Sequence, residues 1–299
     1  MKKITVLGIK FTDEQKKRLS ALGTVKHFPS PSTSDEFLKL VKNADIICSD
    51  GSFLLENLSK LKNVFVTYPY IELGVFNSED LKKNGVFVAN AQGSNKDAIV
   101  EWVMFMVLLL FREFSSMVRV NDSFQIELRE SLVGKRVLIV GRGNIGTKIG
   151  ELCEGFGMNV DFFERRDNLQ SKSRNVDLII NALSSNSSSK NLLNEKFFMS
   201  LKKGVYFVTF VRHYTFDIDG LIKAIKAGIV KNAAIDCDPE APGDTTNNFY
   251  KKALTNKNIL VTPHIAFSTK QANMNGKEFV VQNVEAYVSG HPKNVLVKN

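Results

Sequence analysis

The first third of the chain alternates short apolar runs with amphipathic stretches. The apolar runs predict strands, and the amphipathic stretches, whose apolar residues recur at helical spacing, predict helices. Thr12 precedes the first of these stretches and is a suitable N-cap. Strands that alternate with helices are typical of a parallel sheet covered on both faces. The predicted strands are Ile4–Gly8, Ala44–Cys48, Val64–Thr67 and Val86–Ala89, and the predicted helices are Asp13–Leu22, Asp35–Lys42 and Ser78–Asn84.

A long apolar segment, Asp97–Val118, follows and predicts a single helix. It is apolar on nearly all sides, so we expect it to be buried between domains or between subunits. Its longest apolar run, Trp102–Phe111, is bounded by Glu101 and Arg112 and is too short to span a bilayer. We therefore expect no membrane association. The residues that carry the burial prediction are Trp102, Phe105, Met106, Leu109 and Leu110.

A second series of strands and helices begins at Lys135 and predicts a complete doubly wound unit of its own. The predicted fold class is therefore α/β, with two doubly wound parallel-sheet domains. The strands of this series are Val137–Val140, Val160–Phe163, Asp177–Asn181, Gly204–Thr209, Ala233–Ile235 and Ile259–Thr262, and its helices are one that follows Gly146, then Asn194–Leu201 and Ile218–Ala227. A further predicted helix, roughly Lys270–Ser289, and a short tail follow His264.

The composition is that of an ordinary globular chain, with 299 residues of which 43% are hydrophobic and 24% charged. The three cysteines, Cys48, Cys153 and Cys237, form no CxxC pair, which argues against a disulfide framework or a zinc site. The amino terminus enters strand-like sequence directly, without the features of a signal peptide. We therefore expect a cytoplasmic protein that holds no metal.

The net charge of +9 raises the question of a nucleic-acid partner. However, the lysines are spread along the chain at helix-surface spacing, and no block of five or six like charges occurs. This pattern favours a solvated basic surface over nucleic-acid binding. The same charge can attract small anions.

The segment Gly141-Arg-Gly-Asn-Ile-Gly146 matches the pattern GxGxxG between a predicted strand and a predicted helix. Gly141 suits a tight turn, Gly143 lets backbone amides approach a pyrophosphate, and Gly146 lets the helix pack closely on the strand. The amino terminus of the helix adds a positive dipole end for the phosphates. In this context the segment predicts a dinucleotide site rather than a glycine-rich turn without a ligand.

Glu164 closes the next predicted strand, where a carboxylate can accept hydrogen bonds from the ribose hydroxyls of a dinucleotide. It would also repel a 2′-phosphate, which favours NAD. Arg165 and Arg166 follow at once, and an arginine there can pair with that phosphate. The sequence favours NAD and leaves NADP open.

Two further segments carry residues suited to catalysis. Arg212 ends the apolar segment that begins at Tyr206, and His264 follows the strand Ile259–Thr262. Ligands of open parallel sheets bind outside the carboxyl ends of the strands, so both side chains are expected near the cofactor. An arginine can grip a carboxylate with two hydrogen bonds, and a histidine can exchange a proton with a hydroxyl or keto oxygen.

With these motifs the chain resembles the D-2-hydroxyacid dehydrogenases, the family that includes phosphoglycerate, glycerate, glyoxylate/hydroxypyruvate and D-lactate dehydrogenases. Order and spacing match from about residue 85 to residue 270, whereas the N-terminal part matches in pattern only. The matching motifs are Val140-Gly-Arg-Gly-Asn-Ile-Gly146, Val208-Thr-Phe-Val-Arg212, Ala233-Ala-Ile-Asp236 and Thr262-Pro-His-Ile265.

The resemblance implies a Rossmann cofactor domain inserted in a flavodoxin-like substrate domain, with a cleft between them. The corresponding division is a substrate domain over 1–94, a dinucleotide-binding domain over 95–268, and a helix and tail over 269–299 that return to the substrate domain. A homodimer formed through the cofactor domains and a long helix is also implied, as is a small anionic 2-hydroxy or 2-keto acid as substrate.

The resemblance also implies residue roles. Arg212 corresponds to the arginine that binds the substrate carboxylate, His264 to the acid/base, and Asp236 to the aspartate that contacts the nicotinamide carboxamide. Further cofactor contacts are expected from Asn144 and Ile145 of the glycine turn, from Glu164 and Arg165, and from Phe210.

The chain departs from the family pattern at the third catalytic residue, a glutamate that orients the histidine and raises its pKa. Ala241 holds that place, while Glu240 stands one position early and Asp238 three positions early. Glu240 is the candidate substitute. Without a carboxylate partner for His264, the pH dependence of catalysis would shift downward.

Two more departures concern the substrate side. His213 follows Arg212 where the family usually has glycine, and Tyr68, Pro69 and Tyr70 replace a small loop that holds the substrate carboxylate. These residues indicate either a tyrosine-rich packing loop or a pocket reshaped for another acid. They also leave open a second function, a dinucleotide-binding regulatory protein whose catalysis is weak or lost.

Overall fold

Parallel strands joined by helices build two separate units in the computed structural model. It describes residues 1–71, 76–114, 128–237 and 243–297. Unit 1 consists of Met1–Asn95 together with Thr269–Asn299, and unit 2 consists of Lys96–Ser268. Along the chain, unit 2 is therefore an insertion into unit 1.

Unit 1 contains six strands in the order β12-β5-β4-β3-β1-β2, given their numbering along the chain. All neighbouring pairs are parallel except β12 with β5, which is antiparallel. The central strands β3 and β4 are buried along their whole length, as expected for a sheet covered on both faces. The strands are β1 (Lys2–Leu7), β2 (Gly23–Phe28), β3 (Ile46–Ser49), β4 (Val64–Thr67), β5 (Val86–Ala89) and β12 (Val295–Val297).

The helices of unit 1 cover both faces of its sheet. The first begins after Thr12, whose side chain accepts a hydrogen bond from the amide of Gln15 at 3.2 Å, so the predicted N-cap is confirmed. The last packs Val280, Val281 and Val284 into the core beside the sheet. These helices are α1 (Asp13–Leu22), α2 (Ser34–Val41), α3 (Leu54–Asn57), α4 (Ser78–Lys83) and α11 (Lys270–Val288).

Unit 2 contains six parallel strands in the order β11-β10-β9-β8-β6-β7, which is the same order as in unit 1 when each set is numbered separately. Its strands are β6 (Arg136–Val140), β7 (Asn159–Phe163), β8 (Leu178–Asn181), β9 (Val205–Thr209), β10 (Val230–Asp236) and β11 (Ile259–Thr262). Its helices are α5 (Lys96–Phe111), α6 (Asn144–Gly155), α7 (Leu169–Ser173), α8 (Glu195–Met199), α9 (Ile218–Lys226) and α10 (Asn248–Leu254). The predicted class, two parallel-sheet α/β domains, is confirmed.

Besides β12 and the short helices α3, α7 and α10, which were not predicted, two elements differ from the sequence-based predictions. Strand β2 was not predicted, because most of its residues are exposed or half-buried at the sheet edge and form no apolar run. Helix α5 is buried on one side only within a single chain, since Met106 and Leu110 are buried but Phe105 is 57% exposed. The part of the predicted helix beyond residue 114 lies outside the described residues. Within the described ranges, no helix is long and apolar enough to cross a membrane.

Candidate cofactor and catalytic site

The glycine turn joins β6 to α6 at the carboxyl edge of the unit 2 sheet. Gly141 has φ of +114°, and a Cβ there would lie 2.6 Å from the carbonyl oxygen of Ala182 on the neighbouring strand connection. A Cβ on Gly146 would lie 2.1 Å from the carbonyl oxygen of Gly141. Both positions therefore require glycine for the packing of the turn itself.

Gly143 differs from the other two glycines, because a Cβ there would meet nothing within 4 Å. The packing of the described chain therefore does not require glycine at this position. Gly143 is also the N-cap of α6, and no side chain caps that end of the helix. The turn thus leaves open space in front of Asn144 and Ile145, at the amino terminus of a 12-residue helix. This arrangement fits the pyrophosphate of a dinucleotide.

The residues predicted to face the ribose lie beside this turn. Glu164 follows β7 and is paired with Arg142 of the turn, with Nη1 and Oε1 3.2 Å apart. The guanidinium of Arg142 also lies 4.9 Å from the centroid of the Phe162 ring. Arg165 and Arg166 are exposed. The carboxylate of Glu164 and the guanidinium groups of three arginines therefore belong to this corner of the sheet.

Arg212 is held by a buried hydrogen-bond network. Its carbonyl accepts hydrogen bonds from the backbone amide of Thr215 at 3.0 Å and from the Thr215 hydroxyl at 2.9 Å. The side chain of Asn181, at the end of β8, donates to the hydroxyls of Thr215 at 2.9 Å and Thr209 at 3.2 Å. All three polar residues of the network are 0% exposed. The network fixes the backbone of Arg212 against the ends of β8 and β9.

The neighbours of Arg212 along the chain lie at the same edge. Phe210 is half-buried and packs against the core of unit 2. His213 is exposed and begins a one-turn 3-10 helix, His213–Thr215, with its ring centroid 5.3 Å from that of Phe249. The family glycine is thus replaced by a side chain that packs sideways on an aromatic ring.

Asp236 ends β10 and holds the loop that carries His264. Its carboxylate accepts hydrogen bonds from the Thr262 hydroxyl at 2.5 Å and from the amides of Ile265 at 2.9 Å and Ala266 at 2.8 Å. Burial raises the pKa of Asp236, and these hydrogen bonds together with His264 oppose the rise. The contact between Asp236 and a nicotinamide carboxamide stays a prediction.

His264 itself has φ of +56°, in the left-handed region that favours glycine. Its backbone amide donates to the carbonyl of Thr262 at 3.1 Å. The imidazole packs edge-on against the ring of Phe267, with centroids 5.6 Å apart. A strained backbone that is fixed from both sides is typical of a residue whose side-chain direction matters.

The substitute for the missing family glutamate is not described. Asp238, Glu240 and Ala241 all lie outside the described residues. The role of Glu240 beside His264 therefore stays a prediction.

The Tyr-Pro-Tyr loop of unit 1 was interpreted either as a packing loop or as part of a reshaped substrate pocket, and its residues differ in which of the two they fit. Tyr68 is fully buried in the unit 1 core, as a packing residue would be. The carbonyl of Pro69 touches α11, where a Cβ on Gly276 would lie only 2.4 Å from its oxygen. Tyr70 is 43% exposed, so it is the tyrosine of the pair that a ligand can reach.

A cavity of about 290 Å³ lies at the opposite, amino-terminal edge of the unit 2 sheet. Its lysines are mostly paired with acids, for example Lys202 with Asp177 at 2.6 Å and Lys231 with Glu113 at 2.7 Å. Ligands of parallel sheets bind at the other edge. In the described ranges no group of histidine, cysteine, aspartate or glutamate side chains is suited to hold a metal ion.

Sequence patterns missed three residues of this edge: Arg142, Asn181 and Thr262. The first two follow or end apolar strands, and a polar residue at the carboxyl end of a buried strand is a usable signal. Thr262 lies in a matching motif, but its bond to Asp236 depends on the pairing of β10 with β11.

Comparisons with known proteins identify the family. The sequence model of the family described as D-isomer specific 2-hydroxyacid dehydrogenase, NAD binding domain, matches residues 102–266, more than half of the 299 residues. A glyoxylate reductase from Thermococcus litoralis is 26% identical over 275 residues, and the match covers 82% of this chain and 80% of that protein.

Solved structures share the fold. A D-lactate dehydrogenase from Treponema pallidum is similar with a TM-score of 0.80 and 23% identity, over 99% of this chain and 100% of that chain. The NAD-complexed form of a D-isomer specific 2-hydroxyacid dehydrogenase from Lactobacillus delbrueckii ssp. bulgaricus gives 0.79 and 17%, over 98% and 99%. The fold, the glycine turn and the family match point the same way: the chain belongs to the D-isomer-specific 2-hydroxyacid dehydrogenase family, with residues 102–266 matching its NAD-binding domain.

Proposed function

We propose that the protein is an NAD(P)-dependent oxidoreductase that interconverts a D-2-hydroxy acid and its 2-keto acid by hydride transfer. One observation carries the proposal: the glycine turn, Arg212 and His264 all follow strands at the same carboxyl edge of one parallel sheet. Ligands of such sheets bind at that edge. Family membership supports the reaction class.

The dinucleotide would be held by the glycine turn (Gly141, Gly143, Asn144, Ile145 and Gly146), with Glu164, Arg165, Phe210 and Asp236 as further contacts. When bound, it supplies or takes up the hydride. Glu164 favours a ribose with a free 2′-hydroxyl and hence NAD, whereas Arg165 and Arg166 could pair with the 2′-phosphate of NADP.

The protein side of the reaction needs a carboxylate grip and a proton. Arg212 would hold the substrate carboxylate with charge-assisted hydrogen bonds. His264 would give a proton to the keto oxygen during reduction and take it back from the hydroxyl during oxidation. Asp236 would position His264 through the loop it holds, and Glu240 remains the candidate carboxylate partner of the imidazole. Because oxidation of the alcohol releases a proton, reduction is the direction favoured near neutral pH.

The experiment is a screen of 2-keto acids with NADH and NADPH, followed through the nicotinamide absorbance, on the native chain and on His264→Ala. We expect turnover on at least one acid and a loss of about a thousandfold in the variant, because the acid/base is gone. The dissociation constant of NADH should stay within about twofold, since His264 binds no phosphate or ribose. Equal loss of turnover and cofactor binding would contradict the assignment.

The second candidate function is a dinucleotide-binding regulatory protein. Ala241 in place of the family glutamate and His213 in place of glycine favour it. Tight binding of NADH or NADPH without turnover on any 2-keto acid would support this function over the enzyme.

We also propose a homodimer formed through unit 2. Helix α5 leaves Phe105 57% and Leu108 37% exposed in the single chain, and such apolar positions are expected to be covered by a partner. Light scattering should give twice the mass of one chain, and Phe105→Glu should shift it toward the monomer. A monomeric native chain would contradict the proposal.

A further inference from the structure

The corner that faces the ribose holds an ion pair that the GxGxxG pattern does not require. Arg142 is the residue between the first two glycines of the turn, and Glu164 follows the neighbouring strand β7. Their side chains meet at 3.2 Å. The ring of Phe162 lies against the guanidinium, with 4.9 Å to its centroid. The side chain of Arg142 therefore contacts the carboxylate of Glu164, which would accept a hydrogen bond from the ribose 2′-hydroxyl.

This contact changes the charge that a dinucleotide meets. Glu164 alone would repel a 2′-phosphate, but here a guanidinium already neutralises it. Arg165 and Arg166 add two positive charges next in sequence. The other nearby acids, Asp161 and Asp167, are themselves engaged, because both pair with Lys172, at 3.0 and 3.3 Å, and Asp167 also accepts a hydrogen bond from the amide of Glu164 at 2.8 Å. The corner as a whole is positive.

The pair can exchange partners at low cost. The two side chains are 54% and 57% exposed, and ion pairs in water contribute little to stability. Arg142 can therefore turn from Glu164 to a phosphate, for which its planar fork is well suited. Glu164 can equally turn from Arg142 to a ribose hydroxyl.

We infer that Arg142 sets the cofactor selectivity of this chain and that the protein binds both NADH and NADPH. Arg142 contacts the 2′-phosphate of NADPH, and Glu164 contacts the 2′-hydroxyl of NADH. Of the proposed function, the inference requires only that a dinucleotide binds at the glycine turn. It does not depend on turnover.

The test measures dissociation constants of NADH and NADPH by calorimetry, without any acid substrate. For the native chain we expect the two constants to lie within about tenfold of each other. Arg142→Gln should raise the dissociation constant of NADPH by about tenfold. The dissociation constant of NADH should stay within about twofold, because the contact of Glu164 with the ribose hydroxyl remains. Glu164→Gln should act in the opposite direction, weakening NADH and tightening NADPH.

The matched control is Arg136→Gln. Arg136 is an exposed arginine at the amino end of β6, the strand that leads into the turn, and it thus lies at the other edge of the sheet. It should change neither constant. Adenosine 2′,5′-bisphosphate and adenosine 5′-monophosphate, used as competitors, isolate the 2′-phosphate: the advantage of the bisphosphate should fall in Arg142→Gln alone.

The outcomes are separable. If NADPH binds more than a hundredfold more weakly than NADH to the native chain, or if Arg142→Gln leaves the ratio of the two constants unchanged, the selectivity inference is overturned while the dinucleotide site stands. If neither dinucleotide binds the native chain, the proposed function fails as well.

Discussion

The two units of the chain have the same strand order but differ at the first connection after the first strand. In unit 2 that connection is the glycine turn, and the amino terminus of α6 has no side-chain cap and no acidic residue in its first turn. In unit 1, α1 is capped by Thr12, and Asp13 and Glu14 occupy its first turn. Acidic side chains and a filled cap leave no place for a phosphate.

The glycine that begins each connection is crowded in both units. A Cβ on Gly8 would lie 1.8 Å from Oδ2 of Asp50, and a Cβ on Gly141 would lie 2.6 Å from the carbonyl oxygen of Ala182. The contrast lies at the N-cap of the following helix, where unit 1 has the side chain of Thr12 and unit 2 has Gly143, which faces open space. Topology provides an edge where ligands can bind, but the residues at that edge decide whether one does.

The largest effect on NADH affinity is expected from filling the open space beside Gly143. Gly143→Ser should weaken NADH about a hundredfold, or about 2.8 kcal/mol, because the side chain occupies the space for the pyrophosphate. Serine is also a better N-cap than glycine, so the free energy of unfolding without cofactor should not fall. Calorimetry and chemical denaturation measure the two quantities. Gly155→Ser, in open space at the end of α6, is the control, and unchanged NADH affinity in Gly143→Ser would contradict the contrast.

Gly8→Ala should show the reverse behaviour. Its φ of +70° and the contact with Asp50 make the substitution strained, and we expect a loss of about 2 kcal/mol in the stability of unit 1. NADH affinity should be unchanged, because Gly8 belongs to the unit without a dinucleotide turn. Urea unfolding followed by circular dichroism tests the first part. A loss of NADH affinity in the folded variant would show that the two glycines do not differ as described.

A third contrast concerns the buried asparagines at the two edges. Asn283 in unit 1 donates to Thr67 at 3.1 Å, and Asn181 in unit 2 supports the backbone of Arg212 through threonine hydroxyls. Both alanine variants should lose about 1–2 kcal/mol of stability. Only Asn181→Ala should also raise the KM for the keto acid, by about tenfold, with NADH affinity unchanged. An unaltered KM would remove Asn181 from the positioning of Arg212.

The smallest effect is a pH dependence in unit 1. Burial alone would raise the pKa of Glu278, but hydrogen bonds from Gln15 and Arg18 hold it below the usual value of 4.5. A depressed pKa stabilises the fold above pH 4.5, and this contribution is lost as the pH falls through the lower, folded value. Glu278→Gln should therefore flatten the acid side of the stability curve of unit 1. The change should stay under about 1 kcal/mol, because solvent screens these half-exposed side chains.

The sequence predicted unit 2 better than unit 1 for a physical reason. Strands β6, β8 and β9 are buried on both faces, so they appear as apolar runs, and the glycine turn between strand and helix has a recognisable spacing. Strand β2 lies at the edge of its sheet with mostly exposed or half-buried residues, and β12 has only three residues. The sequence pattern of neither strand can be distinguished from that of a loop.

The position of a candidate site residue was predictable where it follows the end of one strand, as for Arg212 and His264, whose roles stay predictions. Contacts between strands were not predictable. Arg142 and Glu164 are 22 residues apart and meet only because β6 pairs with β7. Likewise, the expected burial of Phe105 could not be judged from one chain, since a helix apolar on nearly all sides does not reveal what covers it.

The split of unit 1 along the chain also has a consequence for biosynthesis. When residues 1–95 leave the ribosome, their sheet lacks α11, whose valines complete the core, and β12, which pairs with β5. Unit 2 is one continuous segment and can close as soon as its own last strand emerges. The part made first must therefore keep an uncovered apolar sheet face until nearly the whole chain has been translated, and the part made second is the first able to fold.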